Sequence, residues 1–462
     1  MRSRVPKVLH PLAGRPLIDH VLDALAEAGV GRPVVVTGHG AEAVEAAVAG
    51  RAATARQSPQ RGTADAVRTG LAALEAEALT ILVTMGDAPL QPAELFRAIL
   101  AERDAADAPA IVLVSARPPD PSGYGRVVRN AQGGAIAIVE EADADAATRK
   151  VGEINVGTYA FDAAWLRLAL DRVVASASGE EYLTDLVTLA VADGRAVRVV
   201  EAADADEAIG INDRVALAAA EERMRRRIVE GHMRNGVTVV DPMTTRIDAG
   251  VEIGQDARIE PWTILEGATV IAQDAIVGPN AQVRDSRIGP RTRVWASVLE
   301  EATVAEDVEI GPYAHLRPGS EIGPHCRIGN FAEVKRARIG AGTQQHHFSY
   351  LGDSEVGENV NIGAGSVTAN FDGVAKHRTV IGDGASIGVD TMMVAPVTIG
   401  AGATTGAGSV VNRDVPPGKK VVGVPARPIE LKRRRSPSSP DGAVPSSGSG
   451  ETPVPSGADR NP

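Results

Sequence analysis

Two neighbouring histidines, His346 and His347, stand in the polar run Gln344-Gln345-His346-His347-Phe348-Ser349-Tyr350-Leu351-Gly352-Asp353. An imidazole titrates near neutral pH and can take a proton from an attacking nucleophile. By residue type alone, a single histidine is more often a satisfied surface or interface group, and an adjacent pair is no metal site without further ligands. Far upstream, Asp87 follows the apolar run Ile81-Leu82-Val83 and the residues Met85-Gly86. A carboxylate at the end of a strand can hold a hard cation, or it can simply occupy a turn.

The elements that must position these residues fall into two halves. In the first, Ile18, Val21, Leu22 and Leu25 share a helical face, with Gly29 as a stop. Val34-Val35-Val36 reads as a buried strand, Ala41 to Val48 as a helix, and Ile81-Leu82-Val83 and Ile111-Val112-Leu113-Val114 as further strands. Alternating strands and helices predict an α/β Rossmann-like domain with a mostly parallel sheet and ligands at the strand C-terminal ends, where Asp87 falls. A helix is expected over Arg214 to Val229, with Asn212 as N-cap and Gly231 closing it. The second half repeats. Ile253, Ile259, Leu265, Ile271, Val277 and Val283 recur in steps of six, as do Val298, Val304, Ile310, Leu316, Ile322, Ile328 and Val334, and again Ile381, Ile387, Met393 and Ile399. A six-residue period marks a parallel β-helix, here expected to be left-handed, in which each inward aliphatic stacks on its equivalent one coil away. The break in phase from Ile339 to Val356 reads as an insertion loop on the binding face, and it carries both histidines. Arg433 to Pro462, rich in Ser, Pro and Gly, reads as a disordered tail. The domains are therefore expected at 1–212, 213–235 (linker helix), 236–428 and 429–462. Composition agrees: 3% aromatics with 49 glycines suit repeated tight turns. A net charge of −11 argues against a nucleic-acid or membrane-surface binder. One cysteine, Cys326, excludes an intramolecular disulfide, and no segment is long and apolar enough to span a membrane, so a cytoplasmic protein is expected.

Many short motifs occur in one order. They are Pro6-Lys7-Val8-Leu9-His10, Gly62-Thr63-Ala64, Gly86-Asp87-Ala88-Pro89-Leu90, Gly123-Tyr124-Gly125-Arg126, Glu153-Ile154-Asn155 and Gly210-Ile211-Asn212-Asp213-Arg214. In the second half come Leu316-Arg317-Pro318-Gly319, Gly329-Asn330-Phe331-Ala332-Glu333-Val334-Lys335, Asn361-Ile362-Gly363-Ala364-Gly365 and Asn370-Phe371-Asp372-Gly373. In these, the sequence resembles the bifunctional N-acetylglucosamine-1-phosphate uridylyltransferase/glucosamine-1-phosphate acetyltransferase family, from Val5 to about Val424.

The resemblance implies that the β-helix acetylates glucosamine 1-phosphate from acetyl-CoA, and that the first domain couples the product to UTP with Mg²⁺. It puts the catalytic base on His347, with His346 incidental. It implies that Arg317 and Lys335 bind the sugar phosphate, that Tyr350 and Asn361 hold the sugar, and that Ala364, Asn370, Phe371, Val389 and Ala407 line the CoA groove. Phe371 replaces a frequent Tyr of the family, and Val389 stands where Ser is common. In the first domain the resemblance implies Asp87 and Asn212 as the Mg²⁺ pair and Lys7 on phosphate. Gln57, Gly62 and Thr63 would lie on the uracil side, Gly86 on the nucleoside, and Gly125, Glu140 and Asn155 on the sugar. It also implies a homotrimer with the acetyl site between neighbouring β-helices.

The family opens with a strand and a Gly-rich loop, L-A-A-G-x-G-T-R-M, that cradles the triphosphate. Met1 aligns with the last residue of that loop, so the opening strand and loop are expected to be missing here, through a mis-assigned start or a natural truncation. In-frame codons upstream of Met1 are expected to encode them. The reading favoured is the bifunctional enzyme. The runner-up is an acetyltransferase alone, with the first domain inactive for lack of that loop. A nucleotidyltransferase whose β-helix only assembles subunits, and a non-enzymatic solenoid, are the remaining alternatives.

Overall fold

The computed structural model describes residues 1–74, 78–176, 179–208 and 210–429. The expectation of a disordered tail from Arg433 lies outside the described residues. In the first half, the apolar face of the helix Leu17–Glu27 buries Leu17, Ile18, Val21, Leu22 and Leu25, and Gly29 ends it at φ +81°. The helix Ala41–Val48 forms as the spacing predicts. The main sheet has the order Val197–Glu201, Ile111–Ala116, Ile154–Asp162, Arg126–Arg129, Ala135–Val139, and Thr80–Val83 also pairs with Ile154–Asp162.

That sheet corrects the mostly parallel expectation. Ile111–Ala116 and Val197–Glu201 are parallel, but Ile154–Asp162 runs antiparallel to both Thr80–Val83 and Ile111–Ala116. The intervening hairpin Arg126–Arg129 and Ala135–Val139 belongs to the same sheet and is antiparallel throughout, Arg126 pairing with Ile154. Among the described residues, Val34–Thr37 pairs only with Ala53–Arg56, in a separate parallel two-stranded sheet. With no strand on its other side, Val34, Val35 and Val36 are half-buried rather than buried.

The second half is a left-handed parallel β-helix whose three faces hold 12, 10 and 9 strands among the described residues. Arg258 pairs with Ile276 and Ile276 with Arg293, so each strand lies on its equivalent one coil away. Ile259, Leu265, Ile271, Val277 and Val283 are fully buried in one aliphatic column set. Thr and Ser at the corners satisfy the turns: Thr263, Thr269 and Ser320 each donate to a carbonyl three residues back. The helix Arg214–Arg234 closes one end, with Val229 packed among Val237, Val239 and Ile247. At the other end Lys420–Val422 meets Arg427–Pro428 antiparallel. Capping elements of this kind cover the terminal coils of a solenoid.

Four local expectations are corrected. Asp213, not Asn212, caps the helix Arg214–Arg234, its carboxylate accepting from Ala216 N at 2.8 Å, and Gly231 lies inside it. Val298 faces outward and Leu299 inward, because pairing with Gln282–Arg284 seats Leu299 on Val283. The stretch from Ile339 to Val356 is no insertion. Gln344–Gln345 and Ser349–Gly352 are ordinary strands of two faces, and Gln345, a buried polar residue, takes the inward place where the pattern seeks an aliphatic. Its Nε2 donates to Ser349 Oγ at 2.9 Å. The extra loop lies one coil further on, between Val367–Ala369 and Thr379–Ile381.

Candidate active sites

On the β-helix, strand register assembles one site. Arg327 pairs with Gln344, Gln344 with Asn361, Asn361 with Ser386 and Ser386 with Thr404. Three residues beyond each, at the same corner, stand Asn330, His347, Ala364, Val389 and Ala407. Backbone bonds hold the column together: Gly365 N donates to Phe348 O (2.7 Å), Asp390 N to Ala364 O (2.7 Å) and Gly408 N to Val389 O (2.8 Å). His347 therefore lies in line with the small residues expected to face CoA. Asn330, Phe331, His346, His347 and Phe348 line an open cavity of about 610 Å³.

Around that corner, on the 10-stranded face, Arg317 follows His315–Leu316, while Lys335 and Tyr350 lie on neighbouring strands, Glu333 facing Tyr350. The Lys335 ammonium is held below the usual lysine range, first by Arg317 and next by Lys376. An anion placed between cations that disfavour one another would relieve that repulsion. Arg317 is anchored by Glu333 Oε1 at 2.8 Å, which raises its affinity for its proton. Asn370 donates to the Tyr350 hydroxyl at 3.4 Å and also bonds Asp353. Phe371 and Val389 are exposed, so both apolar faces are open to a ligand. Asn361 stands on the 12-stranded face, three residues before Ala364 and away from Tyr350. Lys376 is the residue that sequence reasoning missed. It sits in the extra loop, opposite Phe371 in an isolated bridge. In that loop Asp372 is held far below the usual carboxylate range by the Ala375 N–H, then by His377 and the Val374 N–H.

In the first domain three clusters form. Lys7 Nζ donates to Asn212 Oδ1 at 2.9 Å and pairs with Asp87. The two oxygens expected to hold a metal thus converge on one cation, and a carboxylate plus an amide suits a hard ion that keeps waters. No group of three or more His, Cys, Asp or Glu that could hold a metal occurs among the described residues. Gln57 Nε2 donates to Gly62 O (2.9 Å) and Asp65 (2.8 Å). A Cβ on Gly62, at φ +119°, would meet Glu181 O at 2.4 Å, so only glycine fits there. Asn155 N donates to Gly125 O at 2.8 Å, and the Glu140 carboxylate lies against Gly125. Gly86 backs onto Ile18 and Val8. The segment from Glu181 to Thr184, which no motif marks, ties the second cluster to the third. Leu183 N donates to Thr63 Oγ1 (2.9 Å) and Thr184 Oγ1 to Glu140 Oε1 (3.0 Å).

Comparison with known proteins bears on both halves. The family described as MobA-like NTP transferase domain matches residues 1–155, and that described as bacterial transferase hexapeptide (six repeats) matches residues 301–336. A protein of Geobacillus thermodenitrificans (strain NG80-2) is 47% identical over 418 residues, 90% of this chain and 91% of its own. One of Thermobifida fusca (strain YX) is 47% identical over 446 residues, 94% and 92% of the two chains. One of Listeria monocytogenes serovar 1/2a is 43% identical over 417 residues, 90% and 91%. Each bears the name bifunctional protein GlmU.

Proposed function

The chain belongs to the GlmU family of bifunctional proteins, and from that premise we propose how its residues divide the work. It is a glucosamine-1-phosphate N-acetyltransferase and an N-acetylglucosamine-1-phosphate uridylyltransferase, making UDP-N-acetylglucosamine for the cell wall. Residues 236–428 carry acetylation, 1–212 uridylylation, and 213–235 join them.

In the acetyl site, Arg317, Lys335 and Lys376 take the sugar phosphate and Tyr350 the sugar, with Asn361, on the other face, reaching the sugar held by a neighbouring copy. Ala364, Val389 and Ala407, with Asn370 and Phe371, receive acetyl-CoA, where small side chains let the pantetheine arm approach the backbone. His347 removes a proton from the amine as its nitrogen attacks the thioester carbonyl, and CoA leaves as the thiol. The observation that carries this reading is the corner column, which puts His347 in register with Ala364, Val389 and Ala407. A homotrimer would complete the site. Trp262, Trp295, Tyr313, Phe331 and Phe348 are all exposed along this corner, in a chain with 3% aromatics.

In the uridylyl site, an oxygen of the sugar phosphate attacks the α-phosphorus of UTP and pyrophosphate leaves. Asp87 and Asn212 would hold Mg²⁺, which when bound supplies charge neutralisation for the phosphates. Lys7 adds a cation beside them, Gln57, Gly62 and Thr63 take the uracil, Gly86 backs the nucleoside, and Gly125, Glu140 and Asn155 bind the N-acetylamino sugar. No helix among the described residues is long and apolar enough to cross a membrane, and we place the work in the cytoplasm.

Two assays on one preparation test the division. Thiol release from acetyl-CoA with glucosamine 1-phosphate should fall roughly two to four orders of magnitude in His347→Ala and stay near normal in His346→Ala. Pyrophosphate release from UTP with N-acetylglucosamine 1-phosphate should be lost in Asp87→Ala and untouched by His347→Ala. A crippling His346→Ala beside a silent His347→Ala would reject the assignment.

A further inference from the structure

The strand Ile154–Asp162 carries Asn155 and, four residues later, Tyr159, which is 2% exposed and has no role so far. Between them the strand bulges. Leu113 faces Tyr159 and Ser115 faces Asn155 on the neighbouring strand, with a shift of register between, and Gly157 stands at φ +80°. The bulge folds the Asn155 side chain back along its own strand. Gly157 N donates to Asn155 Oδ1 at 3.1 Å, and Asn155 Nδ2 donates to the Tyr159 hydroxyl at 2.7 Å.

A primary amide has two similar ends, and only its partners decide which way it faces. A backbone N–H can only donate, so Gly157 fixes Oδ1. Nδ2 then has two hydrogens, one of them on Tyr159 and the other left over. The tyrosine is a firm anchor. Its ring stacks on Phe161 with centroids 5.4 Å apart, and burial pushes its hydroxyl well above the usual phenol range, so it stays neutral. The Glu140 charge pushes the hydroxyl in the same direction as burial.

We infer that Tyr159 is a positioning residue of the sugar pocket, which pins the Asn155 amide and leaves one Nδ2 hydrogen for an oxygen of the N-acetylamino sugar. The inference rests on the assignment of Asn155 to the sugar, and it adds a residue that touches no substrate itself. Tyr159 sets the donor direction of the pocket, and so its preference for a ligand that presents an acceptor there.

Calorimetric titration of the full chain with UDP-N-acetylglucosamine, and separately with UTP, tests this in a double-mutant cycle. Tyr159→Phe keeps the ring on Phe161 and removes only the hydroxyl. It should weaken UDP-N-acetylglucosamine roughly three- to tenfold, the size of one hydrogen bond, and leave UTP within about twofold. In an Asn155→Ala background the same substitution should add nothing. An equal loss in that background, or an equal loss for UTP, would show a merely structural tyrosine and overturn the inference. So would a silent Tyr159→Phe beside a damaging Asn155→Ala. If Asn155→Ala alone leaves UDP-N-acetylglucosamine binding unchanged, the sugar-site assignment itself is wrong and the inference falls with it.

Discussion

The Glu140 carboxyl is pushed above the usual carboxylate range by burial, an effect that the Thr184 hydroxyl donating to it at 3.0 Å only partly offsets. Asp143, Asp185 and Glu180 push in the same direction as burial. The folded protein therefore holds the Glu140 proton more tightly than the unfolded chain does. Ionised Glu140 costs stability, and that cost grows as pH rises from the unfolded value towards the raised folded one, then levels off. If Glu140 serves the sugar as proposed, its carboxylate is kept there at a cost to the stability of the fold. Glu140→Gln should raise the melting temperature at pH 8, with the gain shrinking as the pH falls into the acid range. The same variant should weaken UDP-N-acetylglucosamine binding without a matching loss for UTP. A melting difference independent of pH would mean that Glu140 is not the group responsible. The sequence names Glu140 only through resemblance. Its environment comes from Thr184, more than forty positions on in the chain, and no local pattern announces that contact.

Strand register does for the β-helix what side-chain contacts do for the first domain. The period of six is legible because most inward places, such as Leu265, Val277 and Ile310, are aliphatic. It fails at Gln345, where a buried amide keeps the coil in register while breaking the apolar pattern, so an ordinary corner reads as an insertion. It fails again at Val298, where a shorter step brings Leu299 inward. The antiparallel entry of Ile154–Asp162 is invisible for a different reason: strand direction is a tertiary property, and an apolar run looks the same either way. Because each coil touches only its neighbours, damage should also stay local. Leu316 is fully buried between Leu299 and Val334 and immediately precedes Arg317. Leu316→Ala should cost about 2–5 kcal/mol. Differential scanning calorimetry should show a lowered melting temperature, and acetylation should suffer through a loosened Arg317, while uridylyl transfer at ambient temperature holds. Parallel loss of both activities would argue that the halves unfold as one unit.

At the scale of the whole molecule, an exposed aromatic line and an open cavity on one corner ask for a partner surface. Tyr313 and Phe331 stack at 5.3 Å, and Phe331 and Phe348 also line the cavity that holds His347. If three copies share this corner, Phe331→Glu should lower the sedimenting mass to that of one chain and remove acetylation together. A monomer with full acetylation would refute the shared site. The two halves of one chain are joined by a contact that can be tested separately. The hairpin of Pro11–Leu12 and Arg15–Pro16 carries Ala13 and Gly14 at its tip. Ala13 N donates to Glu221 Oε2 of the joining helix at 2.8 Å, and Ala249 N of the first coil donates to Ala13 O at 3.0 Å. Gly14 has φ +79°, a left-handed conformation that favours glycine, and a Cβ there would lie 2.3 Å from Asp248 Oδ2. Asp248 cannot easily withdraw, because its carboxylate accepts from Gly267 N at 3.1 Å, and burial already pushes its pKa up. Gly14→Ala is therefore strained twice, by its backbone angle and by the contact. It should lift the hairpin off the first coil without touching Lys7 or His347. Thermal unfolding should separate into two transitions, and the helix Arg214–Arg234 should become cleavable by trypsin, which has several arginines to choose from there. Acetylation should survive, since the corner column lies many coils away. A single unchanged transition in Gly14→Ala would mean that the helix alone, without the hairpin, holds the two halves together.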